Sequence, residues 1–163
     1  MGKPSIVSTG IGLLAVFAAL ALAGSAALAA KPPTAVAAGS AEAPTGPGLV
    51  AEAWSPEKVA ELRAAGRPIL VDFTAAWCVT CQVNEKVALS GAKVAEAFKA
   101  RNAVYLKADW TNRDPVIAKA LAQFNRVGVP LYVVYPKTGG DPVILPQLLT
   151  EGLVIDAIEK AGR

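Results

Sequence analysis

Residues 73–81 read Phe73-Thr74-Ala75-Ala76-Trp77-Cys78-Val79-Thr80-Cys81 and hold both cysteines of the chain as a C-x-x-C pair. A short apolar run, Pro68 to Phe73, precedes the pair, and apolar residues at helical spacing follow it. A C-x-x-C at a strand-to-helix junction is typical of a thiol–disulfide redox site. The sequence therefore predicts that Cys78 and Cys81 form a redox-active disulfide.

The cysteine pair could instead belong to a metal site, or its spacing could arise by chance. A structural zinc site takes four Cys or His ligands, whereas this chain has two cysteines and no histidine. One copy therefore cannot build such a site, and a zinc or iron–sulfur site would have to be shared between two copies. We expect no metal, and no cofactor other than the disulfide itself.

The N-terminal residues 1–30 are either a signal peptide or a transmembrane anchor. Residues 6–30 carry no charge, and at about 1.5 Å per residue they are long enough to cross a hydrocarbon core of about 30 Å. Lys3 and the Ala27-Leu28-Ala29 site fit a cleaved signal, while the length fits a retained helix. Both place the following domain outside the cytoplasm. Residues 31–50, rich in Pro, Ala and Gly, predict a flexible linker.

Residues 51–163 are long enough for one compact domain. Their patterning predicts the order α-β-α-β-α-β-β-α, with helices starting at Ser55-Pro56, Asp114-Pro115 and Thr150. Strands are predicted at residues 68–73, 103–109, 131–135 and 143–145, the last two antiparallel. The expected fold is α/β: a four-stranded mixed sheet with helices on both faces, which is the thioredoxin fold, preceded by one hydrophobic N-terminal helix.

The order of the two cysteines predicts their roles. Cys78 would lie at a helix N-terminus, where unpaired N–H groups favour the thiolate. Cys81 would lie one turn further along and be more buried. Cys78 is therefore the expected nucleophile, and Cys81 the residue that resolves the mixed disulfide. Val79-Thr80 offers the thiolate little further stabilisation, which favours a reducing potential.

The stretch from Val71 to Lys86 resembles the C-terminal thioredoxin-like domain of the DsbD family, bacterial transmembrane thiol:disulfide interchange proteins. Leu106 to Thr111 and Gly128-Val129-Pro130 match the same group, and the resemblance covers residues 54–161. It implies a protein-disulfide reductase at the inner membrane, with its domain in the periplasm. Electrons would pass from a membrane-embedded dithiol donor to periplasmic disulfide proteins, such as isomerases and cytochrome c maturation factors.

The resemblance also gives the N-terminal segment a third interpretation, as the last membrane helix before this domain. The family's larger membrane domain and acceptor domain are missing from this sequence. We therefore expect either a fragment or a stand-alone anchored domain that depends on a separate donor. The alternative location is a soluble periplasmic protein after signal cleavage.

Five further residues are candidates for the site. Asp72, in an apolar strand, could shuttle the proton of Cys81, unless it faces solvent at the strand end. The resemblance implies an acid there and at Glu85, which could otherwise be an ordinary surface residue. It also implies that Pro130 is cis rather than trans, leaving the Val129 backbone free to pair with a substrate chain. Trp77 would shape the docking surface, unless it is a core residue.

Two further classes of function stay open. A disulfide oxidase or isomerase would use the same pair, and a non-catalytic thioredoxin-like binding module would use it structurally. The net charge of +3 comes from basic residues interleaved with acids, which does not predict nucleic-acid binding. We expect a monomer.

Overall fold

A computed structural model of the protein describes residues 48–163. The predicted signal peptide or anchor, with its hydrophobic helix, and residues 31–47 of the predicted linker lie outside the described residues. Leu49, near the end of the predicted linker, packs against the domain core. Of the helices described, none is both long and apolar enough to cross a membrane.

The described residues form a mixed sheet with the spatial order β1-β3-β2-β4-β5. Its strands are β1 (Ala51–Ala53), β2 (Ile69–Thr74), β3 (Val104–Asp109), β4 (Leu131–Tyr135) and β5 (Val143–Leu145). Both β1 and β2 run parallel to β3, whereas β4 is antiparallel to β2 and to β5. The predicted antiparallel pairing of the last two strands is confirmed.

The prediction of four strands is wrong, because the sheet has five. The additional strand is β1, which pairs in parallel with β3 at the edge of the sheet. Its sequence, Ala-Glu-Ala, has no β-branched or aromatic side chain, so strand propensity provides no signal there. The strand exists because the free edge of β3 offers it backbone partners.

Helices pack on both faces of the sheet, as predicted. They are α1 (Pro56–Ala64), α2 (Val79–Asn84), a π-helix (Glu85–Leu89), α3 (Ala92–Ala100), α4 (Pro115–Gln123) and α5 (Glu151–Ala161). The starts predicted at Ser55, Asp114 and Thr150 are confirmed, since each side chain accepts a hydrogen bond from the first turn of its helix. Ser90 and Gly91 separate the π-helix from α3.

Alternate residues of β2 serve two separate cores. Ile69, Val71 and Phe73 point to one face and pack with residues of α1 and α4. Leu70 points to the other face and packs with residues of the π-helix, α3 and α5. Asp72 and Thr74 follow Leu70 at period two, so they share that second face. The strand therefore carries a carboxyl group into the side of the sheet that α2 and the π-helix cover.

Candidate active site

The cysteine pair lies where β2 passes into α2. Cys78 is the N-cap residue of α2, and its Sγ accepts a hydrogen bond of 3.2 Å from the N–H of Cys81. The two residues form a disulfide with their Cα atoms 5.3 Å apart. Cys78 keeps 7 % of its surface exposed and Cys81 none. A substrate can therefore approach Cys78, while Cys81 lies behind it.

The loop before β4 closes over the disulfide. The Val129–Pro130 peptide bond is cis, as the resemblance implied. The side chain of Val129 packs against Ala75, Cys78 and Cys81. The paired register of β4 with β2 begins only at Leu131, so the Val129 backbone lies beyond the sheet ladder and beside the cysteines.

Trp77 is half exposed, at 49 %, and is not a core residue. Its indole Nε1 donates a 3.1 Å hydrogen bond to the carbonyl of Thr111, and its ring centroid lies 6.1 Å from that of Trp110. The guanidinium of Arg113 lies 5.4 Å from the centroid of each of these two rings. These contacts hold Trp77 as an exposed rim immediately before Cys78. Arg113 could not be identified from the sequence, because the contact depends on the turn after Trp110.

Asp72 is completely buried, so the alternative of a solvent-facing strand end is excluded. The Tyr105 hydroxyl donates a 2.7 Å hydrogen bond to Oδ2 of Asp72. Oδ1 finds no donor among residues 48–163. The pKa of Asp72 is raised from 3.8 to about 7, chiefly by burial. The hydrogen bond from Tyr105 lowers this pKa, the negative charge of Glu85 raises it, and the positive charge of Lys107 lowers it. Asp72 can therefore exchange a proton near neutral pH.

Glu85 begins the π-helix and lies over the same face of the sheet. Its Oε1 is 3.0 Å from Lys107 Nζ and accepts a 3.4 Å hydrogen bond from the Thr74 hydroxyl. Lys107 lies opposite Asp72 in the register of β2 and β3, but its ion pair is with Glu85. The Glu85 and Lys107 side chains are each about one-third exposed, so the pair lies at the surface, and its charges act on the buried carboxyl without touching it.

A cleft of about 210 Å³ opens beside the disulfide. It is lined by Thr74, Ala75, Ala76, Gln82, Glu85, Lys107 and Asp109. Glu85 and Lys107, which form an ion pair, both contribute to its wall, whereas the buried Asp72 does not. The cleft therefore exposes this charged pair to solvent.

Tyr105, Tyr132 and Asn84 are polar residues of this region that sequence reasoning missed. The Asn84 amide donates to the Tyr132 hydroxyl (2.9 Å) and to the carbonyl of Gln147 (2.7 Å), and its Oδ1 accepts from the N–H of Leu149 (3.1 Å). Burial raises the pKa of both tyrosines. Asn84 thus fixes α2 to β4 and to the segment before α5. For Asn84, the available sequence signal was a polar residue in the helical stretch between Cys81 and Ala88, which are both buried.

Within residues 48–163, no group of three or more His, Cys, Asp or Glu side chains is arranged to hold a metal ion. Proteins with this fold generally use a redox-active disulfide without a cofactor.

Comparison with known proteins shows which family the domain belongs to. A family model described as thioredoxin-like matches residues 50–137. The chain belongs to the thioredoxin-like family. The predicted resemblance to DsbD is also confirmed: thiol:disulfide interchange protein DsbD of Yersinia pestis is 33 % identical over 79 residues, or 48 % of this chain and 13 % of that protein. DsbD 1 of Pseudomonas aeruginosa is 35 % identical over 85 residues, or 51 % and 14 %. This chain thus spans about one-seventh of the length of these relatives.

Solved structures support the fold. The oxidised C-terminal domain of DsbD from Neisseria meningitidis matches with a TM-score of 0.54 and 20 % identity, covering 68 % of this chain and 98 % of that one. A thioredoxin from Thermus thermophilus matches with a TM-score of 0.56 and 23 % identity, covering 69 % and 86 %. With its disulfide at the start of α2, this DsbD-like thioredoxin domain is a thiol–disulfide oxidoreductase.

Proposed function

We propose that the domain is a protein-disulfide reductase that faces the periplasm. It takes electrons from a membrane-embedded dithiol and passes them through Cys78 and Cys81 to disulfide-bonded periplasmic proteins. The similarity to proteins named thiol:disulfide interchange protein DsbD supports this role. Residues 1–30 would hold the domain at the inner membrane, or direct it to the periplasm and be cleaved.

The proposed direction of electron flow is inferred from the groups around Cys78 Sγ. Among the described side chains and backbone groups, the hydrogen bond to this atom comes from the N–H of Cys81. The chain has no histidine, and Val79 and Thr80 stand between the cysteines. Strongly oxidising sites are those that stabilise the reduced thiolate, and cationic or imidazolium neighbours are a main cause of such stabilisation. A thiolate with only a backbone N–H as its donor gains less of this stabilisation, so the site favours the disulfide once it has formed and therefore donates electrons.

The reduction proceeds in two steps. The Cys78 thiolate attacks one sulfur of the substrate disulfide, forms a mixed disulfide and expels the other substrate sulfur as a thiolate. Cys81 then gives its proton to the Asp72 carboxylate and attacks Cys78 Sγ. The Cys78–Cys81 bond forms as the bond to the substrate breaks, and both substrate thiolates take up protons from Asp72 or from water. Two electrons leave the domain, and the substrate is released as a dithiol.

The remaining candidate residues would hold the substrate and tune the site. The exposed Trp77 and the loop of Val129 and Pro130 flank Cys78 on two sides. An extended substrate segment could pair with the Val129 backbone, the mode of strand addition. Glu85 would act by its charge on Asp72 and through its pair with Lys107.

The reduction potential of the full chain tests the direction. The protein is equilibrated with glutathione mixtures, and the thiols are then alkylated and quantified. A value between about −220 and −270 mV, in the range of glutaredoxins and thioredoxin, is expected for a reductase. A value near about −120 mV would make the domain an oxidant and overturn the proposal. Cys81→Ser is the control, because it can form only the mixed disulfide with glutathione.

A further inference from the structure

The hydroxyl of Tyr105 is the closest polar partner of the buried Asp72 carboxyl. Tyr105 lies on β3 opposite Leu70 of β2, two residues from Asp72 along the same face of the sheet. Both side chains are buried, and the distance from the hydroxyl to Oδ2 is 2.7 Å. The neighbouring oxygen, Oδ1, has no donor within the described part of the chain. The two oxygens of one carboxyl group therefore have different surroundings.

We propose that Tyr105 is a positioning residue for thiol–disulfide exchange: it occupies Oδ2 of Asp72, so that the carboxyl takes up and releases its proton at Oδ1. The hydroxyl also favours the ionised carboxyl, because an O–H donor stabilises a carboxylate. Without it, Asp72 would stay protonated at neutral pH and could not accept a proton. The effect of the Tyr105 hydrogen bond on the pKa of Asp72 does not depend on which reaction the domain performs. The contribution of this effect to thiol–disulfide exchange rests on the proposed function.

The direction of this hydrogen bond does not change with pH in the working range. Burial raises the pKa of Tyr105 well above its usual value, and the charge of Asp72 raises it further. The hydroxyl therefore stays protonated whether Asp72 is ionised or neutral. Since the Tyr105 proton is directed at Oδ2, the proton of the neutral carboxyl is left to Oδ1.

Strand β3 and the π-helix contribute the groups that bear on the charge of Asp72. Besides Tyr105, β3 presents Lys107, which favours the carboxylate, and the π-helix presents Glu85, which disfavours it. Tyr132 on β4 lies opposite Asp72 in register, and its hydroxyl accepts a hydrogen bond from Asn84. Burial and the charge of Asp72 raise the pKa of Tyr132, so this hydroxyl stays neutral. The bond from Tyr105 is the largest of the influences that favour the carboxylate. Its removal is therefore the sharpest test.

In the reaction, this arrangement acts at the resolving step. Ionised Asp72 accepts the Cys81 proton at Oδ1, and the Cys81 thiolate attacks Cys78 Sγ. The intramolecular disulfide forms, the bond to the substrate breaks, and the substrate sulfur leaves with the electron pair. Asp72 then returns its proton to water or to the departing thiolate, so that the site regains its starting charge.

The decisive experiment is a carboxyl ¹³C NMR titration of Asp72 in the oxidised full chain, where neither cysteine titrates. The wild type should titrate with a midpoint of about 7. Tyr105→Phe should raise the midpoint by about one to two pH units, because it removes a hydrogen bond to a charged group. Tyr132→Phe is the matched control: it deletes a buried hydroxyl of the same kind that bonds to Asn84, and the midpoint should not move.

An unchanged midpoint in Tyr105→Phe, or an equal rise in Tyr132→Phe, would overturn the coupling. Should Tyr105→Phe not fold, the wild type itself supplies the test. The Tyr105 ¹³Cζ resonance should follow the Asp72 midpoint, because the hydrogen bond strengthens as the carboxyl ionises. A Tyr105 resonance that ignores this titration would also overturn the proposal.

A kinetic measurement tests the positioning role. The reduced full chain is mixed with a short disulfide peptide, and the release of the second thiol is followed against pH. In Tyr105→Phe the rate profile should shift to higher pH together with the NMR midpoint. A shifted midpoint with an unshifted profile would overturn the role in exchange. If the wild type reduces no peptide while the NMR shift occurs, the proposed function fails and the coupling stands.

Discussion

The two faces of the sheet use the same strands for opposite purposes. On the face covered by α1 and α4, the side chains of Val71, Phe73 and Leu106 are buried among apolar neighbours. On the other face, Asp72, which lies between Val71 and Phe73 in sequence, and Tyr105, which precedes Leu106, are also buried. Adjacent residues of β2 thus enter environments that differ in kind, because side chains alternate across a strand.

The comparison separates what stabilises the fold from what the site requires. Burial of apolar surface lowers the free energy of the folded state at every pH. Burial of a carboxyl has a cost, which the protein reduces by keeping the group protonated up to a pH of about 7. The apolar face is therefore expected to determine stability, whereas the polar face sets the pH at which a proton can move.

The largest effect is expected on the apolar face, from Phe73→Ala. The ring is 2 % exposed and packs with Trp54 and Phe124, at centroid distances of 5.6 and 6.4 Å. Its loss should reduce the free energy of unfolding by about 3–5 kcal/mol. Urea unfolding of the oxidised protein measures this, and the loss should be the same at pH 4 and pH 8. A loss that depended on pH would show that the two faces are not independent.

Asp72→Asn, a change at the residue next to Phe73, is expected to increase the free energy of unfolding. In the folded state the pKa of Asp72 is about 7, above the value near 3.9 of an unfolded chain. The folded protein thus keeps a proton that the unfolded chain loses, so the stability of the wild type falls as pH rises from about 4 to about 7. Asn has nearly the shape of the protonated carboxyl and does not ionise, so the variant does not lose stability as the pH rises. The variant should be more stable by about 2–4 kcal/mol at pH 8 and nearly unchanged at pH 4.

Unfolding of both proteins across this pH range checks the prediction. A variant that is destabilised at pH 8 would mean that ionised Asp72 contributes to stability, contrary to the comparison. The same variant should resolve mixed disulfides more slowly, since it cannot accept the Cys81 proton under the proposed mechanism.

Local signals were sufficient for most of the fold and for the cysteine pair. Helix caps such as Ser55, Asp114 and Thr150 act within one turn, so the sequence around them specifies where each helix begins. The apolar residues around Asp72 made burial of this acid one of two interpretations, the other being a strand end that faces solvent, and only the structure decides for burial. Edge strand β1 escaped detection, since its pairing is with residues over fifty positions away.

The partner of Asp72 was not predictable for a related reason. Lys107 lies directly opposite Asp72 in the register of β2 and β3, and their opposite charges would favour an ion pair. In the structure, Lys107 reaches Glu85 instead, and the hydrogen bond comes from Tyr105, two residues earlier on the same face. Which donor reaches a buried carboxyl depends on how the π-helix covers the sheet, a tertiary relation that no single stretch of sequence contains.

The smallest expected effect, and the finest test of the polar face, is Glu85→Gln. Glu85 raises the pKa of Asp72 by its charge, and it holds Lys107 Nζ at 3.0 Å. The substitution removes the negative charge and leaves the Lys107 charge unopposed, and both changes favour the carboxylate. The NMR midpoint of Asp72 should therefore fall, by about half a pH unit, in the direction opposite to that of Tyr105→Phe. Stability should change by less than about 1 kcal/mol, as for partly exposed ion pairs.

Glu57→Gln provides the control for this last change, because Glu57 is an exposed acid of α1 on the far face of the sheet. It removes the same charge and should leave the midpoint where it is. If both variants moved the midpoint equally, the effect would be one of overall charge, and Glu85 would have no particular relation to Asp72. If Glu85→Gln raised the midpoint, the pair with Lys107 would be acting through position rather than charge, since removing a negative neighbour cannot by itself favour the protonated acid.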